Sequence, residues 1–480
     1  MGVRTISDVT PILKEVWRDD EVVKQFDEGA LLLDVIEHGD QDTNQAIKMG
    51  VEKDGKYVIV PLHTTGNPNT GVGVAEGYEY PEVGGQGYKQ AKYRGRFLVA
   101  GIGLTTQTMT RAAGGEQSVF NNQAKEDSAT ISNIRRRTNF NIARDGSGLL
   151  ATVADNGYTN ATGLFQVDST ANLAVGMQFI ARDVIAGNAT GVPIATNTTS
   201  LPTGWPVTSI TTGNPAQIRS ITNSTHFVAE LADASALWDF ASSGAHDYNN
   251  STQGIYLFDE QGRQIWGLDN YCSDANPNNM GFNGATTVTA IDDGGSGIGL
   301  LNVPGGLDRT VAANLFWKAI GSTEMTVNLG GAAISLEDHI QPLNSQILAR
   351  DSMLASDEHA IIAVSRMDQW WQVVNALESG KRTEIRRVLA DGNYDSVSYS
   401  YITFAYDQTL PATTMLFFAP RYLFRMMITP WQTEDLSGRY NQVLGGLNRG
   451  TSKWREYLFS EQQLCGSSCR PNAKFTNIAA

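Results

Sequence analysis

The sequence predicts an α+β fold, and three features of the chain indicate it. A glycine-rich ribbon of predicted strands occupies residues 51–110 and runs into one long helix. Residues 155–254 are rich in Thr, Asn, Ala, Ser and Gly and contain short strand-like runs between turn residues. Residues 413–480 are again rich in predicted strands. We therefore predict a mixed protein into which a separate all-β module is inserted.

The overall composition is that of a globular protein with few charged residues. The chain has 480 residues, of which 41% are hydrophobic and 18% are charged, so it is long enough for several domains that each bury a core. Its formal net charge is −14. A general nucleic-acid-binding protein would be basic instead. The charge is compatible with a protein that surrounds nucleic acid without gripping it.

The sequence carries no predicted secretion or membrane signal. Residues 1–6 lack the apolar stretch of a secretory signal, and no apolar run reaches the roughly 18 residues of a membrane span. The cysteines, Cys272, Cys465 and Cys469, are sparse and odd in number, which does not suggest a disulfide framework. We therefore expect a protein that is made in a reducing cytoplasm and has no membrane partner.

Residues 1–50 are predicted to form an N-terminal arm with two small apolar patches. The second patch, at residues 30–36, is too small to form a core by itself, so we expect it to dock elsewhere. An ordinary N-terminal helix on the main core explains the same pattern equally well.

The ribbon is predicted to run outward along residues 57–61 and back from Tyr93 to Leu104. A strong turn signal at residues 64–71 lies between them. A two-stranded ribbon is marginal in water by itself, and this one has no obvious apolar core, so we expect it to lie on a second copy of the chain. Tyrosines suit such a half-wet contact surface; for the basic residues of the return strand, a solvated face is the alternative. The candidate contacts are Tyr78, Tyr80, Tyr88, Lys89, Lys92, Arg94 and Arg96.

A long helix is predicted over residues 116–145. Its apolar residues recur mostly at multiples of three or four positions and form one stripe. Gly146 is the predicted stop. Basic residues lie toward the helix end, where they suit the helix dipole. These residues are Arg135, Arg136, Arg137 and Arg144. A nucleic-acid patch is one interpretation of them, and a charged face paired to acidic neighbours is the favoured one.

The rest of the chain alternates between β-rich and mixed regions. Residues 155–254 are predicted to be a small barrel or sandwich inserted into a host domain. Mixed patterning follows at residues 305–395, with a helix near 312–319, a helix capped at Ser335 and running through Ile347, a buried strand at 360–364 and a helix at 366–377. Closing strands are predicted at 415–420, 422–428 and 453–464.

No catalytic or metal-binding motif stands out in the sequence. The six histidines are scattered, and none has the spacing of metal ligands. Cys465 and Cys469 lack a second pair of ligands, so we interpret them as incidental thiols. We predict no catalytic residue, no metal and no cofactor. A pair of carboxylates juxtaposed by the fold, as in glycosidases, stays open.

The order of these parts resembles that of the major capsid proteins of tailed bacteriophages, which have the Hong-Kong-97-type fold. The resemblance rests on an arm, a long β-ribbon, one long helix ending in Asp145-Gly146-Ser147-Gly148, a mixed region with a β insert, and closing strands. The divisions that it implies are an N-terminal arm at 1–50, an extended hairpin or E-loop at 51–110, a spine helix of the peripheral domain at 111–148, an axial domain at 149–154 and 255–412, an all-β insertion at 155–254, and peripheral strands with a return to the axial domain at 413–480.

The resemblance implies that the chain self-assembles into the icosahedral shell of a virion, around a double-stranded DNA genome, and is not an enzyme. The implied partners are further copies in hexamers and pentamers, a separate scaffolding protein, a portal and a decoration protein, with packaged DNA contacted weakly and non-specifically. Assembly is expected in the host cytoplasm. Three other functions stay open: an encapsulin-like nanocompartment shell, a phage tail or decoration protein, and a carbohydrate-active enzyme.

Overall fold

The structure is a computed structural model, and the statements below concern the residues that it describes. These are residues 30–38, 52–53, 58–67, 79, 84–93, 95–105, 122–144, 146, 148–159, 164–183, 216–231, 253–257, 264–274, 304–307, 309, 312–352, 354, 360–379, 385–389, 394–411, 413–433, 442–443 and 453–479.

Both helices and strands are present, which confirms the α+β class. The α-helices are α1 (Leu31–His38), α2 (Asn122–Ala143), α3 (Leu268–Cys272), α4 (Gln341–Arg350) and α5 (Met367–Ser379). The strands are β1 (Glu52–Lys53), β2 (Val58–Thr65), β3 (Gly87–Tyr93), β4 (Arg96–Thr105), β5 (Leu149–Thr159), β6 (Leu164–Val167), β7 (Gln178–Asp183), β8 (Ala216–Asn223), β9 (His226–Leu231), β10 (Gln253–Leu257), β11 (Ile361–Ser365), β12 (Ile385–Leu389), β13 (Tyr394–Tyr399), β14 (Ile402–Tyr406), β15 (Met415–Phe418), β16 (Leu423–Thr433), β17 (Gln442–Val443), β18 (Lys453–Gly466) and β19 (Ala473–Phe475).

The ribbon consists of β1, β2 and β3, and its return strand differs from the predicted one. Val58 lies opposite Tyr93 and His63 opposite Tyr88, so the chain returns along β3. The predicted return strand, Tyr93 to Leu104, belongs mostly to β4, which pairs antiparallel with β18 in a four-stranded sheet with β16 and β17. The prediction was wrong because the partner of β4 is distant in sequence, and local patterning carries no information about such a pairing.

The inserted module is a closed barrel with the strand order β10-β5-β6-β9-β8-β7. All elements of the module in its described residues are strands, and the barrel begins before residue 155 and ends after residue 254, which differs from the predicted boundaries. Residues 149–154 are part of β5, and β10 continues to Leu257, so both belong to the barrel instead of the surrounding mixed region. Closure explains the difference, because only the pairing of β5 with β10 removes the two open edges of the sheet.

A six-stranded sheet with the order β12-β13-β14-β11-β15-β19 forms the other large unit. The strands β11 and β14 are parallel, and the other neighbours are antiparallel. The predicted buried strand at 360–364 is β11, whose residues are all buried. The strand β15 also lies here, whereas the prediction for 413–480 placed the peripheral strands first and only the end of the chain back in the axial domain. After β18 the chain returns to this sheet as β19.

The helices near this sheet follow the local sequence signals. The backbone N–H of Asp338 donates to Oγ of Ser335, which confirms the predicted cap. A single π-turn, Leu336–Ile340, follows the cap and leads into α4. The predicted helix at 366–377 is α5. The helix expected near 312–319 is a short 3₁₀ segment, Ala312–Trp317.

The long helix α2 spans 22 residues, Asn122–Ala143, or about 33 Å. The remaining predicted residues, 116–121, lie outside the described residues. Gly146 has a φ of +83°, so the chain leaves the helix through a left-handed residue, as predicted. Among the residues of this stripe whose burial is described, Ile142 near the end of the helix is fully buried while Ile131 is exposed.

Two hydrophobic clusters hold these units together. One joins α1, the inner side of the ribbon, the end of α2, and the neighbouring ends of β16 and β18. The other lies between the six-stranded sheet and the helices α4 and α5. Leu31, Leu32 and Leu33 are buried in the first cluster. Of the two interpretations of the N-terminal region, the helix on the main core is therefore the correct one for the described residues 30–38.

Candidate intersubunit surfaces

The inner face of the ribbon packs on the body of its own chain. Val58, Val60 and Leu62 alternate along β2 and are all buried. Tyr93 and Ala91 lie opposite Val58 and Val60, and they are buried as well. All five residues are part of the first hydrophobic cluster. The expectation of a ribbon without a core of its own was therefore wrong for its base.

Tyr93 fastens the base of the ribbon to the end of β18. Its hydroxyl donates to the backbone oxygen of Gly466 at 2.6 Å and accepts from the backbone N–H of Gly466 at 3.1 Å. Burial raises the pKa of the Tyr93 phenol well above its ordinary value. The hydroxyl is therefore a neutral structural hydrogen-bonding group.

Lys89, one of the candidate contacts, is engaged inside the chain. Its Nζ donates to the backbone oxygen of Ala313 at 2.6 Å and to Oδ1 of Asn314. The same nitrogen lies 5.5 Å from the ring centre of Phe316. Lys89 therefore connects the ribbon to the 312–317 segment of the same chain.

The outer face of the ribbon is open to solvent. Tyr88 is 69% exposed, its hydroxyl donates to Oε1 of Gln86 at 2.6 Å, and its ring centre lies 5.1 Å from that of His63. Lys92 is exposed on the same side. These two candidate contacts are accessible to a partner. Three further candidates, Tyr78, Tyr80 and Arg94, lie outside the described residues.

An exposed apolar face on the four-stranded sheet was missed by the sequence analysis. Arg96, a candidate contact, is buried at the start of β4, whereas Phe97 is 66% and Val99 is 64% exposed. Phe459 lies opposite Val99, and the ring of Tyr457 covers Gly101, where a Cβ would lie 3.2 Å from its Cε1. We call Phe97, Val99, Gly101, Tyr457 and Phe459 the β4 face. The spacing of Phe97 and Val99 places them on one face of the strand, but it does not indicate whether that face is covered.

The arginines of α2 are mostly engaged within the chain. Arg135 makes an ion pair of 2.7 Å with Asp34 of α1. The guanidinium carbons of Arg137 and Arg144 each lie 4.9 Å from the ring centre of Phe140. Arg136 is half-buried, and no ion pair joins it to another described residue. Of the four candidates, Arg136 is the one whose charge is not used in a described contact.

Two buried amides near the end of α2 were also missed. The backbone N–H of Leu33 donates to Oδ1 of Asn139 at 3.2 Å. The Nδ2 group of Asn141 donates to Oε1 of Gln264 at 2.5 Å. The last turns of α2 are therefore fixed to α1 on one side and to the segment before α3 on the other.

The three cysteine thiols are buried in the protein interior. Cys272, Cys465 and Cys469 are free and buried, and burial raises the pKa of each, that of Cys469 to about 11. Buried Arg309 donates to the backbone oxygen of Asn270 at 2.6 Å, and its Nη2 lies 3.7 Å from Sγ of Cys469. Within the described parts of the chain, no three His, Cys, Asp or Glu side chains form a group that could hold a metal ion.

None of the described helices is both long and apolar enough to cross a membrane.

Comparisons with known proteins find structural neighbours only. No protein-family model and no curated protein sequence matches the chain. The cyanophage A-1(L) capsid matches with 10% identity and a TM-score of 0.49, covering 98% of each chain. The capsid of an empty GTA particle matches with 7% identity and a TM-score of 0.42, covering 99% of each chain. Both matches extend over nearly the whole length of the chain.

A match to an encapsulin complex from Synechococcus elongatus is shorter. It has 9% identity and a TM-score of 0.24, and it covers 33% of this chain and 55% of that one.

Proposed function

We propose that this chain is the major capsid protein of a tailed bacteriophage, whose copies form an icosahedral shell around a double-stranded DNA genome. The order of elements supports the proposal: an extended ribbon, one long helix, a barrel inserted ahead of a mixed sheet, and long closing strands. The same order underlies the resemblance to the Hong-Kong-97-type fold. In this proposal the chain has a structural role instead of a catalytic one, and it assembles in the host cytoplasm.

The observation that carries the proposal is the exposed β4 face. Phe97 and Val99 are each about two-thirds exposed, and Tyr457 and Phe459 extend the apolar surface on the neighbouring strand. Contiguous apolar surface on a soluble protein marks a site of association. The strand β4 also pairs with β18 only, among the described strands, which leaves a sheet edge next to this face. Burial of the β4 face against a second copy would stabilise an assembled lattice.

The ribbon and α2 supply the other proposed contacts. Tyr88 and Lys92 lie on the outer face of the ribbon, and Arg136 lies on α2 without a described ion pair. We keep Tyr78, Tyr80 and Arg94 as proposed contacts of the same ribbon. Proposed partners other than further copies are a scaffolding protein, a portal and a decoration protein, with DNA contacted weakly.

Assembly of the purified full chain tests the proposal. Electron microscopy and light scattering are expected to show hollow particles for the wild type and far fewer for Phe97→Ser/Val99→Ser. The matched control is Val175→Ser on the barrel, because Val175 is 63% exposed and lies outside the β4 face; it should assemble like the wild type. Thermal melts of the unassembled chains check that all three are folded.

Three results would count against the proposal. The first is a wild-type chain that stays monomeric at high concentration, both alone and when it is produced during phage infection. Normal particles from Phe97→Ser/Val99→Ser would show that the β4 face is not needed for assembly, and the proposal would lose the observation that carries it. Particles that contain a cargo protein and never DNA, even when produced during phage infection, would favour the nanocompartment alternative.

A further inference from the structure

A cluster of positive charge lies where the six-stranded sheet meets the four-stranded sheet. Its centre is Tyr422, which immediately precedes β16. Three separate segments contribute arginines to this cluster, Arg350, Arg421 and Arg470, and Arg350 contacts the backbone of a fourth segment at Lys318. The net charge of the whole chain is −14, so the cluster is unusual for this molecule.

The carboxylates Glu324 and Asp351 are engaged within the cluster. Nη2 of Arg350 lies 2.7 Å from Oε1 of Glu324 and forms an ion pair with it. Nη1 of Arg350 donates to the backbone oxygens of Lys318 at 2.8 Å and Arg470 at 2.9 Å. The Tyr422 hydroxyl donates to Oδ2 of Asp351.

A third carboxylate, Asp274, lies beside Glu324. Its Oδ2 accepts from the backbone N–H of Ser322 at 3.3 Å, while Glu324 accepts from that of Gly321 at 2.9 Å. Lys318 and the three arginines therefore stand against three carboxylates, which leaves one positive charge in excess.

Arg421 and Arg470 are the two arginines that lie beside Tyr422 in this cluster. The guanidinium carbon of Arg421 lies 5.2 Å from the ring centre of Tyr422, and the Arg470 side chain is exposed. Neither guanidinium has a carboxylate partner among the described residues. Burial lowers the pKa of Arg350, the ion pair with Glu324 raises it, and the neighbouring charge of Arg470 lowers it by less. An external anion would be attracted to the exposed guanidinium of Arg470.

We propose that Arg421 and Arg470 bind a surface carboxylate of a second copy of this chain. A guanidinium matches a carboxylate in geometry as well as in charge, and an acidic chain offers many carboxylates to its copies. A duplex DNA ligand fits less well, because phosphate binding gains its affinity from several contacts, roughly six or more in strong binders. In a lattice, by contrast, each copy contributes one such contact and the repeats add up. The inference rests on the proposed shell function.

The test measures the protein concentration at which half of the full-length chain is in particles, by light scattering. Arg421→Glu/Arg470→Glu should raise this concentration about tenfold, because like charges in an interface are repulsive. Arg421→Lys/Arg470→Lys, which keeps both charges but loses the planar guanidinium, should raise this concentration less than the glutamate and glutamine variants do. Arg421→Gln/Arg470→Gln should lie between them and should also weaken the dependence of assembly on salt. If a thermal melt shows that the unassembled glutamate variant is not folded, the inference is judged from the assembly of the glutamine variant instead.

The outcomes separate this inference from the proposed function. A wild-type chain without particles overturns both. Equal assembly of the wild type and the glutamate and glutamine variants overturns the inference alone. Binding of a short double-stranded DNA to the unassembled wild type, lost in the glutamate variant, would identify the site as a phosphate site and overturn the role of a second copy.

Discussion

The side-chain amide of Asn139 donates a hydrogen bond of 2.8 Å to Oδ2 of Asp407. Asn139 lies on α2, and Asp407 directly follows β14 of the six-stranded sheet. The amide oxygen of Asn139 also accepts from the backbone N–H of Leu33 in α1 at 3.2 Å. One buried amide thus joins the long helix, the N-terminal helix and the sheet.

Replacement of Asn139 by leucine should destabilise the chain strongly. Leucine has a similar volume but neither donates nor accepts, so Asp407 loses one of its donors and the Leu33 N–H is left unpaired in the core. We expect a loss of about 2–4 kcal/mol in the free energy of unfolding, since both groups remain buried. Urea unfolding of the unassembled chain measures this loss.

Asn133→Leu is the matched control for this change. Asn133 lies on the same helix but is exposed, so its replacement should alter the free energy of unfolding by less than about 0.5 kcal/mol. Equal unfolding midpoints for the two variants would show that the Asn139 hydrogen bonds do not stabilise the fold.

Gly146→Ala should also destabilise the chain, because two costs coincide at this position. Gly146 has a φ of +83°, and a Cβ there would lie 2.6 Å from the backbone oxygen of Ile265. The left-handed conformation alone costs about 1–2 kcal/mol for a residue with a Cβ. The clash with backbone adds to this, so we expect a total of roughly 3 kcal/mol or more. Thermal and urea unfolding measure it.

Gly176→Ala separates the two costs. Gly176 has a φ of +84°, but nothing lies within 4 Å of a Cβ at that position. Only the conformational cost of about 1–2 kcal/mol should therefore appear. If both alanine variants lost the same free energy of unfolding, the close packing of Gly146 on Ile265 would not contribute to stability.

Local features of this fold could be predicted from the sequence, and distant pairings could not. The stop at Gly146 and the cap at Ser335 depend on neighbouring residues, and both were predicted. The switch of the chain from the ribbon into the four-stranded sheet between Tyr93 and Arg96 depends on β18, which is far along the chain.

The same distinction holds for the candidate surfaces. Lys89 is a residue type that suits an interface between chains. In the fold, however, its Nζ donates a hydrogen bond to Oδ1 of Asn314 in the same chain. The exposure of Phe97 depends on what covers β4, and no pattern within β4 specifies that. In the sequence, Asn139 cannot be distinguished from an exposed polar helix residue. Its role depends on contacts with α1 and Asp407, which only the fold creates.

The Tyr422 phenol should make the stability of the chain sensitive to alkaline pH. Burial and the hydrogen bond to Asp351 raise the pKa of Tyr422 to about 12. A group whose pKa is higher in the folded chain binds its proton more tightly there. Its contribution to stability is complete below the unfolded pKa of about 10 and is lost as the pH rises toward 12.

Tyr422→Phe tests this dependence. Melting temperatures of the wild type and the variant are compared between pH 8 and about 11.5. Below about pH 10 the wild type should be the more stable, because it keeps the bond to Asp351, and the difference should shrink as the pH rises. Parallel curves over the whole range would mean that Tyr422 titrates equally in the folded and unfolded chains.

The barrel should fold as a separate unit when its boundaries follow the strands. Phe165, Phe179 and Phe227 form its centre, with the rings of Phe165 and Phe227 stacked at 5.0 Å and Phe179 edge-on to both. A fragment of residues 148–258 contains all six strands of the closed ring. Because this core is internal to the barrel, we expect the fragment to melt cooperatively and to show an aromatic circular dichroism signal.

A fragment with the boundaries that the sequence predicted, residues 155–254, is the control. It lacks the part of β5 that pairs with β10, including Ala151 opposite Ile255, so the ring is open and two sheet edges are exposed. This fragment should be unfolded or aggregated under the conditions in which the longer one melts cooperatively. Equal folding of the two fragments would mean that β5 closes the barrel without contributing to its stability, and that the predicted boundaries were adequate.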